Sequence, residues 1–119
     1  MFGLNYQTTK VFIRTGPTDG RLAWEGLKAL TVKVIGRDPM CGHLFVFCNA
    51  ARNRIKMLWW DGSGFLLAVK RPRRGGFDFP KNKNAVSRMS LAQLELLLRG
   101  VEFTSMPTDD DDDDGGKKR

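Results

Sequence analysis

The sequence predicts an α+β fold: a small antiparallel β-meander of three to five strands packed against two amphipathic helices. Three observations predict it. Apolar runs stand at hairpin spacing between residues 43 and 70, leucines recur at helical spacing behind a Ser-x-x-Gln signature at residue 90, and a second stripe of the same period lies between residues 21 and 35. With 119 residues, of which 41% are hydrophobic and 28% charged, the chain has the size and balance of one globular domain. Residues 1–104 are assigned to that domain and 105–119 to a disordered acidic and basic tail.

In chain order, Lys10-Val-Phe-Ile-Arg14 alternates polar and apolar residues and is β-branched, a short strand. Gly16-Pro17-Thr18-Asp19 is a turn, with Thr18 or Asp19 as the expected cap of the next helix. That helix runs from about Arg21 to Ile35 on the stripe Ala23, Leu27, Leu30 and Val34, and Gly36 ends it. Strands are expected over His43–Cys48, Arg54–Trp60 and Phe65–Lys70, separated by spacers of hairpin length. Ser90 and Gln93 form a capping box, Met89 and Leu94 its hydrophobic staple. Leu91, Leu94, Leu97 and Leu98 supply the buried stripe of this second helix, with Gly100 as its stop.

Strand pairing sorts the side chains. Closure of the second hairpin sets Trp60 opposite Phe65, Leu58 opposite Leu67, Lys56 opposite Val69 and Arg54 opposite Arg71. A five-residue first loop puts Cys48 opposite Arg54 and Phe47 opposite Ile55. One face then carries Phe45, Phe47, Ile55, Met57, Trp59, Leu66 and Ala68, a core face expected to receive both helices. The other carries Leu44, Val46, Leu58, Trp60, Phe65 and Leu67 towards one end and Arg54, Lys56 and Arg71 towards the other.

The charge is lopsided. Residues 109–114 are six aspartates and 117–119 three bases; without residues 109–119, 17 basic and 7 acidic residues remain, a net charge of +10. Such a balance points to a polyanionic partner, foremost nucleic acid. Arg52, Arg54, Lys56, Lys70, Arg71, Arg73 and Arg74 converge on one end of the expected sheet, and a phosphate backbone would relieve their mutual repulsion. They are the candidate nucleic-acid contacts. Trp60 is a candidate for stacking on a base or for an interface.

Chemistry-bearing patterns are few. Cys41, His43 and Cys48 have no recurrent zinc spacing, and no metal or other cofactor is expected. Gly62-Ser63-Gly64 sits in a hairpin rather than at a strand-to-helix elbow. Asp19, Asp38 and Asp61 fall in turns, where local backbone bonding explains them. No catalytic residue is assigned and no enzymatic activity is expected. No apolar run approaches the ~20 residues that span a bilayer, and the N-terminus lacks a signal-peptide pattern. A cytoplasmic protein with no membrane partner is expected.

Several motifs together resemble a known family. Thr15-Gly-Pro-Thr-Asp-Gly-Arg21, Asp38-Pro-x-x-Gly-His-Leu-Phe-Val-Phe47 and Arg54-Ile-Lys-x-Leu-x-Trp-Asp-Gly-x-Gly-Phe65 are similar to the TnpB accessory protein of insertion sequence family sixty-six. So are Lys70-Arg71, Gly76-Phe-x-x-Pro80 and Ser90-x-x-Gln-Leu-x-x-Leu-Leu-x-Gly100, in the family's order over residues 8 to 103. The family's usual Lys-Arg-Leu-Glu-x-Gly appears here as Lys70-Arg-Pro-Arg-Arg-Gly75, which is more basic; Phe79 replaces a common tryptophan, and the aspartate run has no counterpart. The resemblance implies a bacterial, non-catalytic factor for DNA transposition, whose partners are DNA, the element's transposase and a second small accessory protein. The phosphodiester chemistry would then belong to the transposase. DNA contact through the basic patch is the first expectation. The alternative is docking on the transposase or on the second accessory protein through the apolar face of Leu44, Val46, Leu58, Trp60, Phe65 and Leu67, without DNA contact.

Overall fold

The structure, a computed structural model, describes residues 4–80 and 86–99. Five strands form one mixed sheet: β1 (Val11–Arg14), β2 (Leu44–Cys48), β3 (Ile55–Trp60), β4 (Phe65–Lys70) and β5 (Val86–Met89), in the spatial order β4-β3-β2-β1-β5. The expected meander is β2-β3-β4, antiparallel throughout. β1 runs parallel to β2 and antiparallel to β5. Two helices, α1 (Trp24–Leu30) and α2 (Leu91–Leu98), complete the α+β fold.

Parallel neighbours need a crossover, and α1 supplies it between β1 and β2. The expected start at Arg21 moves to Trp24. Asp19 ties its carboxylate to the backbone N–H of Arg21 at 2.9 Å and its carbonyl accepts a backbone bond from Leu22, so residues 19–22 close as a turn of their own. Ala23 takes the N-cap position with no side-chain bond, and neither Thr18 nor Asp19 caps the helix. After Leu30 the helix widens into one π-type turn over Thr31–Ile35, in which Gly36 N–H reaches Thr31 C=O at 2.8 Å. Gly36 ends it in the left-handed region at φ 77°, where a residue without Cβ fits freely. The buried stripe is Leu27, Thr31 and Ile35, while Ala23 is exposed. Thr31 Oγ1 donates to Leu27 C=O, which lets a hydroxyl sit inside the core.

α2 agrees closely with expectation. Ser90 Oγ accepts from Gln93 N–H at 3.1 Å and the Gln93 side chain accepts from Ser90 N–H at 2.9 Å. Met89, Leu91, Leu94 and Leu97 are buried together, each leucine contributing about 2 kcal/mol of apolar burial. Gly100 and the expected tail lie outside the described residues.

The first hairpin differs by one residue from the expected register. Cys48 pairs with Ile55 and Phe47 with Lys56. Asn49 is the cause: its side-chain oxygen accepts the N–H groups of Asn53 and Arg54, both at 3.1 Å, and draws Arg54 into a six-residue loop. Because side chains alternate, a one-residue slip turns a whole strand over. Leu44, Val46 and Cys48 therefore join Ile55, Met57 and Trp59 beneath α2, with Phe77 and Phe79. Phe45 and Phe47 join Phe12 and Leu58 beneath α1. The two helices cover opposite faces instead of sharing one, and the sheet has two cores. The second hairpin matches expectation, with Trp60 opposite Phe65, Leu58 opposite Leu67 and Lys56 opposite Val69.

Candidate nucleic-acid interface

The seven predicted cations divide into two groups. Arg52, Arg54 and Lys56 are half-buried, whereas Lys70, Arg71, Arg73 and Arg74 are exposed. Each side chain of the first group donates to a backbone carbonyl of its own chain. Arg52 Nη1 reaches Phe79 C=O at 3.2 Å, Arg54 Nη1 reaches Gly20 C=O at 3.1 Å and Lys56 Nζ reaches Leu22 C=O at 2.6 Å. The expected Arg54–Arg71 cross-strand pair does not form, because the ladder stops at Ile55 opposite Lys70 and Arg54 has left the strand for the loop. The cations nevertheless converge. Burial first, then the Arg54 charge, with a smaller push from Arg71, holds the Lys56 ammonium below its ordinary value.

The first hairpin loop is built to grip the segment after β4. Arg52 adopts φ 59°, a left-handed conformation that costs a residue with Cβ about 1 kcal/mol. It is held there by its own partners: Arg52 C=O accepts Phe77 N–H at 2.7 Å while its guanidinium holds Phe79 C=O. Gly76 passes so close that a Cβ there would lie 2.6 Å from the Arg52 oxygen. Phe77 and Phe79 are buried in the core under α2. Lys70–Gly75 is consequently a segment fastened at both ends, by β4 before it and by the Arg52 clamp after it. Its four cations make no hydrogen bond or ion pair among the described residues, where Asp19 and Arg21 form an ion pair of their own at 3.0 Å. Exposed charge on a fixed backbone is suited to contact with an anion, because little order is lost on binding.

Trp60 is half-buried and packs edge-on against Phe65, with ring centroids 5.0 Å apart. The exposed aromatic of this group is Trp24, which the sequence reasoning missed. Trp24 stacks on Phe65 at 5.4 Å, is 41% exposed, and has Lys28 at 6.0 Å from its ring centroid. The Trp24-x-x-x-Lys28 spacing on one helix face was the available signal.

Half of the apolar face named for the docking alternative is covered, while Trp60, Phe65 and Leu67 are half-buried. Leu44, Val46 and Leu58 are fully buried and split between the two cores. The aspartates are occupied locally. Asp61 Oδ1 accepts from Ser63 N–H, Ser63 Oγ and Gly64 N–H at 2.9 to 3.1 Å, which holds its carboxyl below the usual range. Asp38 accepts from Met40 N–H, and Asp19 is held down to about 2, chiefly by its bonds from Arg21. Asp78 is exposed. Cys41 is exposed, and Cys48 is buried, its thiol pushed up to about 11 by desolvation. His43 Nδ1 accepts Lys10 N–H. Among the described residues no group of three or more His, Cys, Asp or Glu side chains is placed to hold a metal ion, and no helix is long and apolar enough to cross a membrane.

Comparison with known proteins places the chain in a lineage. The family model described as IS66 Orf2 like protein matches residues 9–108. Two uncharacterized proteins of Sinorhizobium fredii are similar: y4jC, 36% identical over 95 residues that cover 80% of this chain and 81% of that protein, and y4hO, 36% identical over 97 residues that cover 82% and 84%. No solved structure matches. The motifs of the resemblance gain a physical meaning here. Thr15–Arg21 offers the Gly20 carbonyl that Arg54 holds; Asp61-Gly-x-Gly closes the second hairpin; Gly76-Phe is the segment clamped by Arg52; Ser90-x-x-Gln caps α2. With the match running from residue 9 to 108 and these motifs in place, the chain belongs to the family of IS66 Orf2-like proteins, accessory proteins of insertion-sequence transposition.

Proposed function

We propose that this chain is a non-catalytic accessory factor that contacts duplex DNA through the phosphate backbone during transposition, and that the contacts are Lys70, Arg71, Arg73 and Arg74. The observation that carries the reading is the fastened segment at the end of β4, which displays four exposed cations without acidic partners among the described residues. Arg52, Arg54 and Lys56 take part indirectly, by positioning that segment and the turn beside it. Trp60 is a packing residue in this reading, and Trp24 takes its place as the exposed aromatic. The non-catalytic reading rests on the family's accessory role, and Asp19, Asp38 and Asp61 each bond within their own turn. Docking on the transposase or on the second accessory protein without DNA contact would have to use Trp60, Phe65 and Leu67, which are half-buried, because Leu44, Val46 and Leu58 are covered.

The test is fluorescence anisotropy of a labelled duplex over a salt series. Four phosphate contacts contribute about 3 to 4 units to the negative slope of log affinity against log salt. Contacts of this kind carry no base information, so terminal-repeat and random duplexes should bind nearly alike. Failure of the intact protein to bind duplex DNA at low salt would overturn the reading.

A further inference from the structure

The two edges of the sheet are finished differently. β5 is four residues long and carries Ser87 and Arg88, a short polar edge of the kind that resists further pairing. β4 is six residues long, with no charge before Lys70 and no proline. Apolar side chains are exposed on both of its faces: Leu66, on the α2 side, is 41% exposed and Val69, on the α1 side, 49%. An edge strand also turns the N–H and C=O of every second residue away from its one neighbour. Among the described residues no other segment supplies β4 with a backbone partner there. The chain on either side of β4 leaves this edge open. The Asp61 turn leads back to β3, and Lys70–Gly75 returns to Arg52, in the loop between β2 and β3.

We infer that the β4 edge is an interface with a second copy of this chain, β4 pairing antiparallel with its counterpart about a two-fold axis at Leu67. This goes beyond the DNA-contacting reading and does not depend on it. A two-fold axis perpendicular to the sheet pairs residues of the same face. With Leu67 opposite Leu67, Phe65 falls opposite Val69 and Leu66 opposite Ala68, so every position from 65 to 69 meets an apolar partner. Shifting the axis to Ala68 would set Leu66 opposite Lys70 and Phe65 opposite Arg71 instead. The Leu67 axis also brings Val69 of the second copy beside Phe65, on which the exposed Trp24 is stacked.

Charge favours the same occupant. Lys70 falls opposite Gly64 of the second copy, beside the turn that carries Asp61, whose bonds from Ser63 and Gly64 favour its charged form. The two copies of Lys70 stand six positions apart along the paired strands, about 20 Å, so the cationic segments leave at opposite ends. Because the β5 edge is short and polar, pairing closes at two copies and does not grow into a fibre.

The intact protein, treated with nuclease and held at about 1 M salt to remove bridging DNA, is followed by sedimentation velocity. The dilution series runs from about 1 mM to about 1 µM. A dimer that dissociates on dilution is expected, since one strand pair is a small interface. Leu66→Lys/Val69→Lys alters two exposed positions; it should weaken association at least about tenfold and leave the far-UV circular dichroism unchanged. Amide hydrogen exchange locates the contact: outward-facing β4 amides should slow at least about tenfold in the dimer, and β5 amides should not change. A monomer at every concentration overturns the inference. So does a dimer whose β4 amides exchange as in the monomer, or one that the double variant leaves intact, because another surface then joins the copies. Slowing of the β4 amides in a monomer only after duplex DNA is added would give the edge to DNA and likewise overturn it.

Discussion

Arg52–Lys56 and Lys70–Arg74 are two short stretches rich in cations, and in the sequence they look interchangeable. In the fold they differ in kind. The first is half-buried at its cations, and each of these holds a carbonyl of the same chain, at Phe79, Gly20 and Leu22. The second is exposed and its cations hold nothing among the described residues. A half-buried basic residue that spends a donor on its own backbone is part of the scaffold. One that is displayed on a fastened loop is available to a partner. The first stretch also fastens the second, because the Arg52 carbonyl and guanidinium grip residues 77 and 79.

The clamp is where this division of labour is most vulnerable. Gly76→Ala would put a Cβ 2.6 Å from a backbone oxygen that already accepts Phe77 N–H. A loss of about 2 to 3 kcal/mol is expected in urea denaturation. An unchanged midpoint would mean that the loop after β4 is not anchored at Arg52.

Arg54→Ala comes next. It removes a charged hydrogen bond to the Gly20 carbonyl, with an expected loss of about 2 kcal/mol. The same experiment on Arg73→Ala should give a change within about 0.5 kcal/mol, since that side chain is exposed and unpartnered among the described residues. Equal losses for the two would erase the distinction between the stretches.

Acid should loosen the first stretch and spare the second. Asp19 shapes the turn whose Gly20 and Leu22 carbonyls receive Arg54 and Lys56, and its bonds from Arg21 hold its carboxyl at about 2, below its ordinary 3.8. A carboxyl lowered by folding contributes stability in full above its unfolded value, and that contribution is lost as pH falls through the folded value. Thermal stability is therefore expected to decline between about pH 4 and pH 2, and Asp19→Asn should decline less over that window. Identical pH profiles for the two proteins would remove Asp19 from any role in holding the turn.

Much of the fold was legible in the sequence because local chemistry dictates it. The capping box at Ser90, the Gly36 stop and the hairpin at Asp61 depend on residues within a few positions of one another. The register of the first hairpin was not legible, because it turns on whether Asn49 recruits Arg54 into the loop, and that error reversed the faces of β2. The face each helix covers depends on the parallel pairing of β1 with β2, which no local pattern encodes. The candidate site was half legible. Clustering of cations could be read from spacing, but Arg54 and Lys56 find their acceptors 34 residues away, at carbonyls that carry no side-chain signature. Trp24 carried a local signal in its spacing to Lys28, but its stacking on Phe65 is a tertiary contact that no spacing encodes.

If the division between the two stretches holds, Arg71, Arg73 and Arg74 serve binding and not folding. One paired measurement on the Arg71→Ala/Arg73→Ala/Arg74→Ala variant decides it: the salt dependence of duplex binding, beside the melting temperature of the same sample. The expected outcome is a slope flattened by about two to three units, with a melting temperature equal to that of the unaltered protein. An unchanged slope would show that these arginines only solvate the surface, and a large fall in melting temperature would show that they belong to the scaffold; either result contradicts the assignment.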